Sequence, residues 1–340
     1  MKNQSKVRKL ANLSIQILIL GGTYGFIYKQ VFHKNDIPGM IKNFGADLSR
    51  PNFAYGLAIV VLLMIVNWGI EAWKWKFLIG KIEKISFVKS YEAVLTGVSL
   101  GSFTPNRLGE LFSRVFILQK ASHVEGILIT ILGSISQLLV TVLAGSAAML
   151  IFIPRYMADS ALGHGYLFYS LLTLIVSFDL LLMGLFFNVS FLTSLKERIL
   201  KNGLTRLRKF FRVFAFYHNK EIGVVMLMSL LRYIVFSFQF FILLRLAGIP
   251  LPFYCAQLLI SLIFFIMAII PTVALAELGI RGSVSLFVLG LYFAHTDPSY
   301  ITCNLCIFAA STFLWLINLG IPALLGTFFV FRLQFFRNRK

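Results

Sequence analysis

Two apolar stretches of the chain carry ionisable residues in the same order. Pro105 is followed by Glu110 and Arg114, and Pro271 by Glu277 and Arg281; a glutamate comes five or six residues after the proline, and an arginine four after the glutamate. Glu and Arg at i,i+4 share a helix face and can pair, so one chemistry of the pattern is self-neutralisation of a buried helix. The prolines supply another. A helix interrupted by proline starts again with unpaired backbone N–H groups, a partial positive charge that favours anions. With Arg107, Arg114 and Arg281 added, the two breaks predict a substrate-binding site for a phosphate. Glu110 and Glu277 would hold those arginines or read a cationic headgroup.

Charge inside an apolar segment costs roughly 2.5–3.5 kcal/mol at a helix centre on insertion scales, so such residues are functional candidates. Asp179 and Arg232 also fall mid-segment and form a candidate inter-helix pair. Glu71 sits among Trp68, Trp73, Lys74, Trp75 and Lys76, a composition that predicts an interfacial anchor. Cys255, Cys303 and Cys306 lie in apolar segments and read as packing residues, and the five histidines have no metal-ligand spacing. No metal and no cofactor are indicated. The chain has no G-x-x-x-x-G-K-[ST] loop, no G-x-S-x-G, no H-E-x-x-H and no aspartate cluster for a metal-bound diphosphate. A non-enzymatic role is therefore expected, driven by a gradient or running downhill.

The elements that must hold these residues are membrane helices. Apolar residues make up 58% and charged residues 13%, with a mean hydropathy of +0.84; soluble domains run near 45–50% and 25%. Such a chain cannot cover its surface with polar groups, so its solvent is lipid. The net charge of +19 does not point to nucleic acid. Basic residues accumulate in cytoplasmic loops and hold them against anionic inner-leaflet lipid.

Spans are expected at about 12–32, 53–79, 125–153, 166–189, 221–246 and 300–331, the first uncleaved. Connections are short, so residues 1–340 form a single polytopic membrane domain, with the longest loop a basic one at about 190–220. Lys and Arg number four in the N-terminal tail, five in 74–92, eight in 190–220 and four in the C-terminal tail. The opposite loops hold only Lys34, Lys42, Arg50 and Arg155. These clusters share one side only if segment 93–118 crosses an even number of times. Its legs, Ala93–Phe103 and Leu108–Leu118, are each half a bilayer long, so it reads as a re-entrant hairpin. Segment 253–291, broken at Pro271, reads as a counterpart from the other face, and the length of its first leg stays open. The fold class is all-α: about six full spans, two broken re-entrant hairpins, the pattern of an inverted repeat, and cytoplasmic N- and C-termini.

Thr104-Pro105-Asn106-Arg107-Leu108-Gly109-Glu110 with Arg114, the Trp-rich end of the second span and the Pro271–Gly282 stretch resemble the lysylphosphatidylglycerol synthase transmembrane region, also called flippase-like. The resemblance covers nearly the whole chain. It departs at Thr272-Val273-Ala274-Leu275-Ala276, where family members often carry a glycine-rich run. It implies a bundle in a bacterial inner membrane that moves lipids or polyprenyl-linked glycolipids between leaflets. Some relatives fuse a soluble aminoacyl transferase; this chain ends nine residues after Phe331, so none is expected. The expected function is a translocase of a lipid with a phosphate headgroup. The alternatives are a membrane-embedded lipid-modifying enzyme and a non-transporting lipid-binding partner of a biosynthetic complex.

Overall fold

The structure is a computed structural model. It describes residues 51–102, 104, 107–156, 165–188, 216–270, 274–296 and 304–330, with isolated positions 14, 17 and 21. The expected span 12–32, most of the basic 190–220 loop and both chain termini lie outside the described residues.

Every described element is helical. In chain order they are α1 (Pro51–Ile79), α2 (Phe87–Gly101), α3 (Leu108–Ser113) with a tight helical turn over Arg114–Ile117, α4 (His123–Tyr156), α5 (Gly165–Phe187) and α6 (Asn219–Leu246). They continue with α7 (Phe253–Ile269), α8 (Ala274–Thr296), α9 (Asn304–Trp315), a π-helical turn over Leu316–Gly320 and α10 (Ile321–Val330). Among the described residues, six helical stretches are long and apolar enough to cross a membrane, which makes this an all-α integral membrane protein. Small residues let the helices approach closely, as helices do in lipid. A side chain at Gly326 would collide with the Leu95 backbone of α2, and one at Gly145 with Phe265 of α7.

Segment 93–118 folds back as expected. α2 has 15 residues, about 22 Å, short of a bilayer core, and α3 is shorter still. Glu83, ahead of α2, accepts the backbone N–H groups of Gln119, Lys120 and Ala121, beyond the tight turn, at 2.7–3.1 Å. The two ends of the hairpin are thus bound together at one end of the bundle. Lys81 pairs with Glu221 at that end, and the Tyr217 hydroxyl donates to the Leu78 carbonyl at 2.7 Å. Burial pushes the Tyr217 phenol well above its usual range, so it stays a donor there. The basic 74–92 and 190–220 segments are expected on one side, and Lys81 and Tyr217 lie at this end.

The second hairpin enters from the opposite end. α4 begins beside the first hairpin, where Gly126 touches Val115 and Leu118. It ends at Tyr156, whose ring is 5.4 Å from that of Tyr292 near the end of α8. Cys255, near the start of α7, lies beside both tyrosines, so α7 and α8 run back to back. One leg differs from expectation. α8 has 23 residues, about 34 Å, and its Glu277–Thr296 portion is long enough to cross by itself. Cys306 is disulfide-bonded rather than a packing thiol, whereas Cys255 is free.

The tethered hairpin ends give a direct check. With Cys255 replaced by serine, single cysteines at Lys84 and Lys120 should react with an impermeant thiol reagent from the same side of a sealed vesicle. Labelling from opposite sides would mean that α2–α3 crosses once.

Candidate functional site

The polar face of α1 organises the site. Asn67, Glu71, Lys74 and Leu78 fall at i, i+4, i+7 and i+11, a single helix stripe, and each is at most 5% exposed. Glu71 is its centre. Its carboxylate accepts from Arg114 at 2.7 Å, Arg232 at 3.0 Å and Lys74 at 2.9 Å. The Lys74 ammonium also donates to the Gly133 carbonyl at 3.2 Å and the Ser229 hydroxyl at 3.3 Å, and so ties α1 to α4 and α6. A buried charge is tolerated only when paired and hydrogen-bonded, and here Glu71, Glu110 and Glu277 each have a cationic partner. The reading of Glu71 as an interfacial anchor is corrected. Trp73 is exposed and fits that role, but Trp68 and Trp75 are buried.

The first hairpin presents Arg107 at its tip. Arg107 has φ 56°, the only non-glycine residue at positive φ among the described residues. Left-handed backbone costs an L-residue roughly 1–2 kcal/mol, and such strain clusters at functional sites. Its guanidinium lies 2.6 Å from Glu110, which Arg114 also approaches at 3.4 Å. The expected contribution of free N–H groups at the break is small. α3 has six residues, and its Gly109 N–H is capped by the Thr104 hydroxyl at 2.8 Å. At the second break, Arg281 pairs with Glu277 at 2.8 Å, four residues apart as the sequence spacing requires.

A cavity of about 340 Å³ opens between the hairpins. Its polar wall carries Arg107, Arg232, Glu277 and Arg281 with the amides of Asn67, Gln137 and Asn318; its apolar wall includes Phe236, Phe264, Met267 and Leu319. Side chains of both hairpins therefore meet in one space. Of the five expected site residues, Arg107, Glu277 and Arg281 line it, while Glu110 and Arg114 do not. The latter two connect Arg107 and Glu71 behind the wall. The expected pair between Asp179 and Arg232 does not form. Asp179 on α5 accepts from Ser146 at 3.2 Å, while Arg232 turns to Asn67 at 3.1 Å and to Glu71, its guanidinium 4.9 Å over the Trp68 ring. Arg232 is the fourteenth of the 28 residues of α6, which sets the cavity halfway along that span.

Asn318 completes the wall from the π-helical turn. Its carbonyl accepts from Trp68 at 3.2 Å and its amide oxygen from Asn67 at 3.4 Å. Turns of this kind occur disproportionately at functional sites.

Among the described residues, the charged cluster holds five cations (Lys74, Arg107, Arg114, Arg232, Arg281) and three carboxylates (Glu71, Glu110, Glu277), a formal excess of two positive charges. Nε of Arg107, Arg114 and Arg281 are buried donors without an acceptor among the described residues. A cavity of this composition can take an anion.

The family described as Lysylphosphatidylglycerol synthase TM region matches residues 40–338. No curated protein and no solved structure matches the chain.

Proposed function

The chain belongs to the lysylphosphatidylglycerol synthase transmembrane-region family, which implies a lipid-related role in a membrane, and from that premise we propose that it is a lipid translocase. An anionic phospholipid, or a polyprenyl-phosphate-linked lipid, places its headgroup between the two hairpins and passes between leaflets through that site. The observation that carries this reading is the uncompensated positive charge on a cavity halfway along a membrane span. An excess charge in low dielectric is unfavourable unless a counter-charge arrives, and the apolar wall of Phe236, Phe264 and Met267 suits the start of a lipid's chains. Two hairpins from opposite ends meeting at one site is the arrangement of transporters that expose a site alternately to each side.

Glu277, the carboxylate that lines the cavity, is committed to Arg281, which suits binding better than general-base chemistry. The proposal sets the protein in a bacterial cytoplasmic membrane, with the basic segments against anionic lipid of the inner leaflet.

Lipid retained through purification tests the reading. Mass spectrometry of the purified protein should find an anionic lipid bound, and Arg107→Gln with Arg281→Gln should lose it. Retention of zwitterionic or neutral lipid alone would contradict the proposal.

A further inference from the structure

We infer that the headgroup taken by this cavity carries two negative charges, as a phosphate monoester does, rather than the single charge of a phosphodiester; the inference rests on the translocase reading above. Two overlapping charge counts agree. The whole cluster has five cations against three carboxylates. The cavity wall alone has Arg107, Arg232 and Arg281 against Glu277. Both leave an excess of two. Each carboxylate is already engaged: Glu71 with Lys74, Arg114 and Arg232, Glu110 with Arg107 and Arg114, and Glu277 with Arg281. The excess is therefore not concealed in an unpaired acid of the cluster.

The geometry matches the count. Among the described residues, Arg107, Arg114 and Arg281 have a buried Nε without an acceptor, and of these Arg107 from one hairpin and Arg281 from the other line the same cavity. A ligand held between them meets guanidinium groups from two directions, and Arg232 adds a third from α6. A dianion neutralises the site. A monoanion leaves one positive charge of the site uncompensated. A cationic headgroup fares worst, since the carboxylate on the wall is occupied by Arg281. The chemistry named is a phosphate dianion, which either a lipid monoester or inorganic phosphate supplies.

The test uses the full-length protein in nanodiscs and two short-chain lipids, phosphatidic acid (a monoester) and phosphatidylglycerol (a diester). Binding is measured at pH 8 and pH 5. The second ionisation of a phosphate monoester falls near pH 6, so one lipid is compared with itself as dianion and monoanion. The charged groups facing the ligand or supporting that wall are Glu71 and Lys74 on α1, Arg107, Glu110 and Arg114 on the first hairpin, Arg232 on α6, and Glu277 and Arg281 on α8. The diester, whose charge is constant between these pH values, corrects for any titration of these groups.

The monoester is expected to bind at least about tenfold more tightly than the diester at pH 8, with the difference lost at pH 5. Arg281→Gln, which lowers the excess to one, should remove most of the preference; if that variant does not fold, the wild-type comparison alone decides. Equal affinity for both lipids at pH 8 would overturn the dianion inference and leave the anionic-lipid reading intact. No binding of either lipid would overturn both. Displacement of the monoester lipid by inorganic phosphate of equal affinity would keep the dianion inference and remove the lipid from it.

Discussion

Glu71→Gln should lower the melting temperature more than any other single substitution in the charged cluster. Glu71 is 5% exposed and is the shared acceptor for Lys74, Arg114 and Arg232, which come from α1, the first hairpin and α6. The amide keeps the shape but removes the charge, and its NH2 group turns a donor toward cations. Removing one partner of a buried ion pair costs about 3–5 kcal/mol, and here three cations lose a carboxylate together, with only Arg114 keeping a second one in Glu110. Glu110→Gln should cost less, because Glu110 is more exposed, at 17%, and pairs with two arginines, of which Arg107 is itself 36% exposed. Adding Lys74→Met to Glu71→Gln should recover part of the loss, since one stranded cation goes with it. Thermal unfolding in detergent reads all three variants. A Glu71→Gln protein that melts with the wild type would show that the carboxylate does not hold the cluster together.

Arg107→Gly should have the opposite profile, with the fold kept and transport lost. The backbone at Arg107 is left-handed, a conformation glycine adopts without penalty, so the substitution relieves roughly 1–2 kcal/mol of strain. Glu110 retains Arg114. The melting temperature should therefore hold or rise, while leaflet exchange of an anionic lipid falls about ten- to hundredfold, the worth of one hydrogen bond to a charged group. A purely structural Arg107 makes a different prediction. Glu110 would be left undercompensated, the variant would melt lower, and adding Glu110→Gln would restore both stability and transport. Recovery of transport in that double variant would remove the headgroup role of Arg107.

Much of this arrangement was legible in the chain, for identifiable reasons. The spans in α1, α4, α5 and α6 are long uninterrupted apolar runs, which hydropathy reads directly. The first hairpin followed from the placement of Lys and Arg, because only an even crossing puts the basic segments together; the bond from Glu83 to the backbone of Gln119–Ala121 is its structural counterpart. The length of α8 was harder to see. Glu277, Arg281, Ser283 and Ser285 crowd its first half and dilute the apolar signal. Glu71 and Lys74 were misread because tryptophans and lysines at the end of a span have the composition of a membrane interface. The signal that separates the two cases was present in the spacing of Asn67, Glu71, Lys74 and Leu78 on one face, with Trp73 turned outward. The partner of Arg232 was not legible. Its sequence position shows that it is buried, but not that α1 rather than α5 packs against that face, and Asn318 enters the wall only because a π-helical turn aims it there.

Leaflet exchange in liposomes addresses the translocase directly. Purified wild-type protein, reconstituted with a trace of fluorescent lipid monoester, should bring inner-leaflet label within reach of an impermeant quencher. Arg107→Gly should leave that label largely protected, although it is reconstituted to the same level and melts no lower than the wild type. A fluorescent zwitterionic lipid should stay protected with both proteins. Equal exposure of the anionic lipid by wild type and Arg107→Gly, or by wild type and protein-free liposomes, would contradict a headgroup path between the two hairpins.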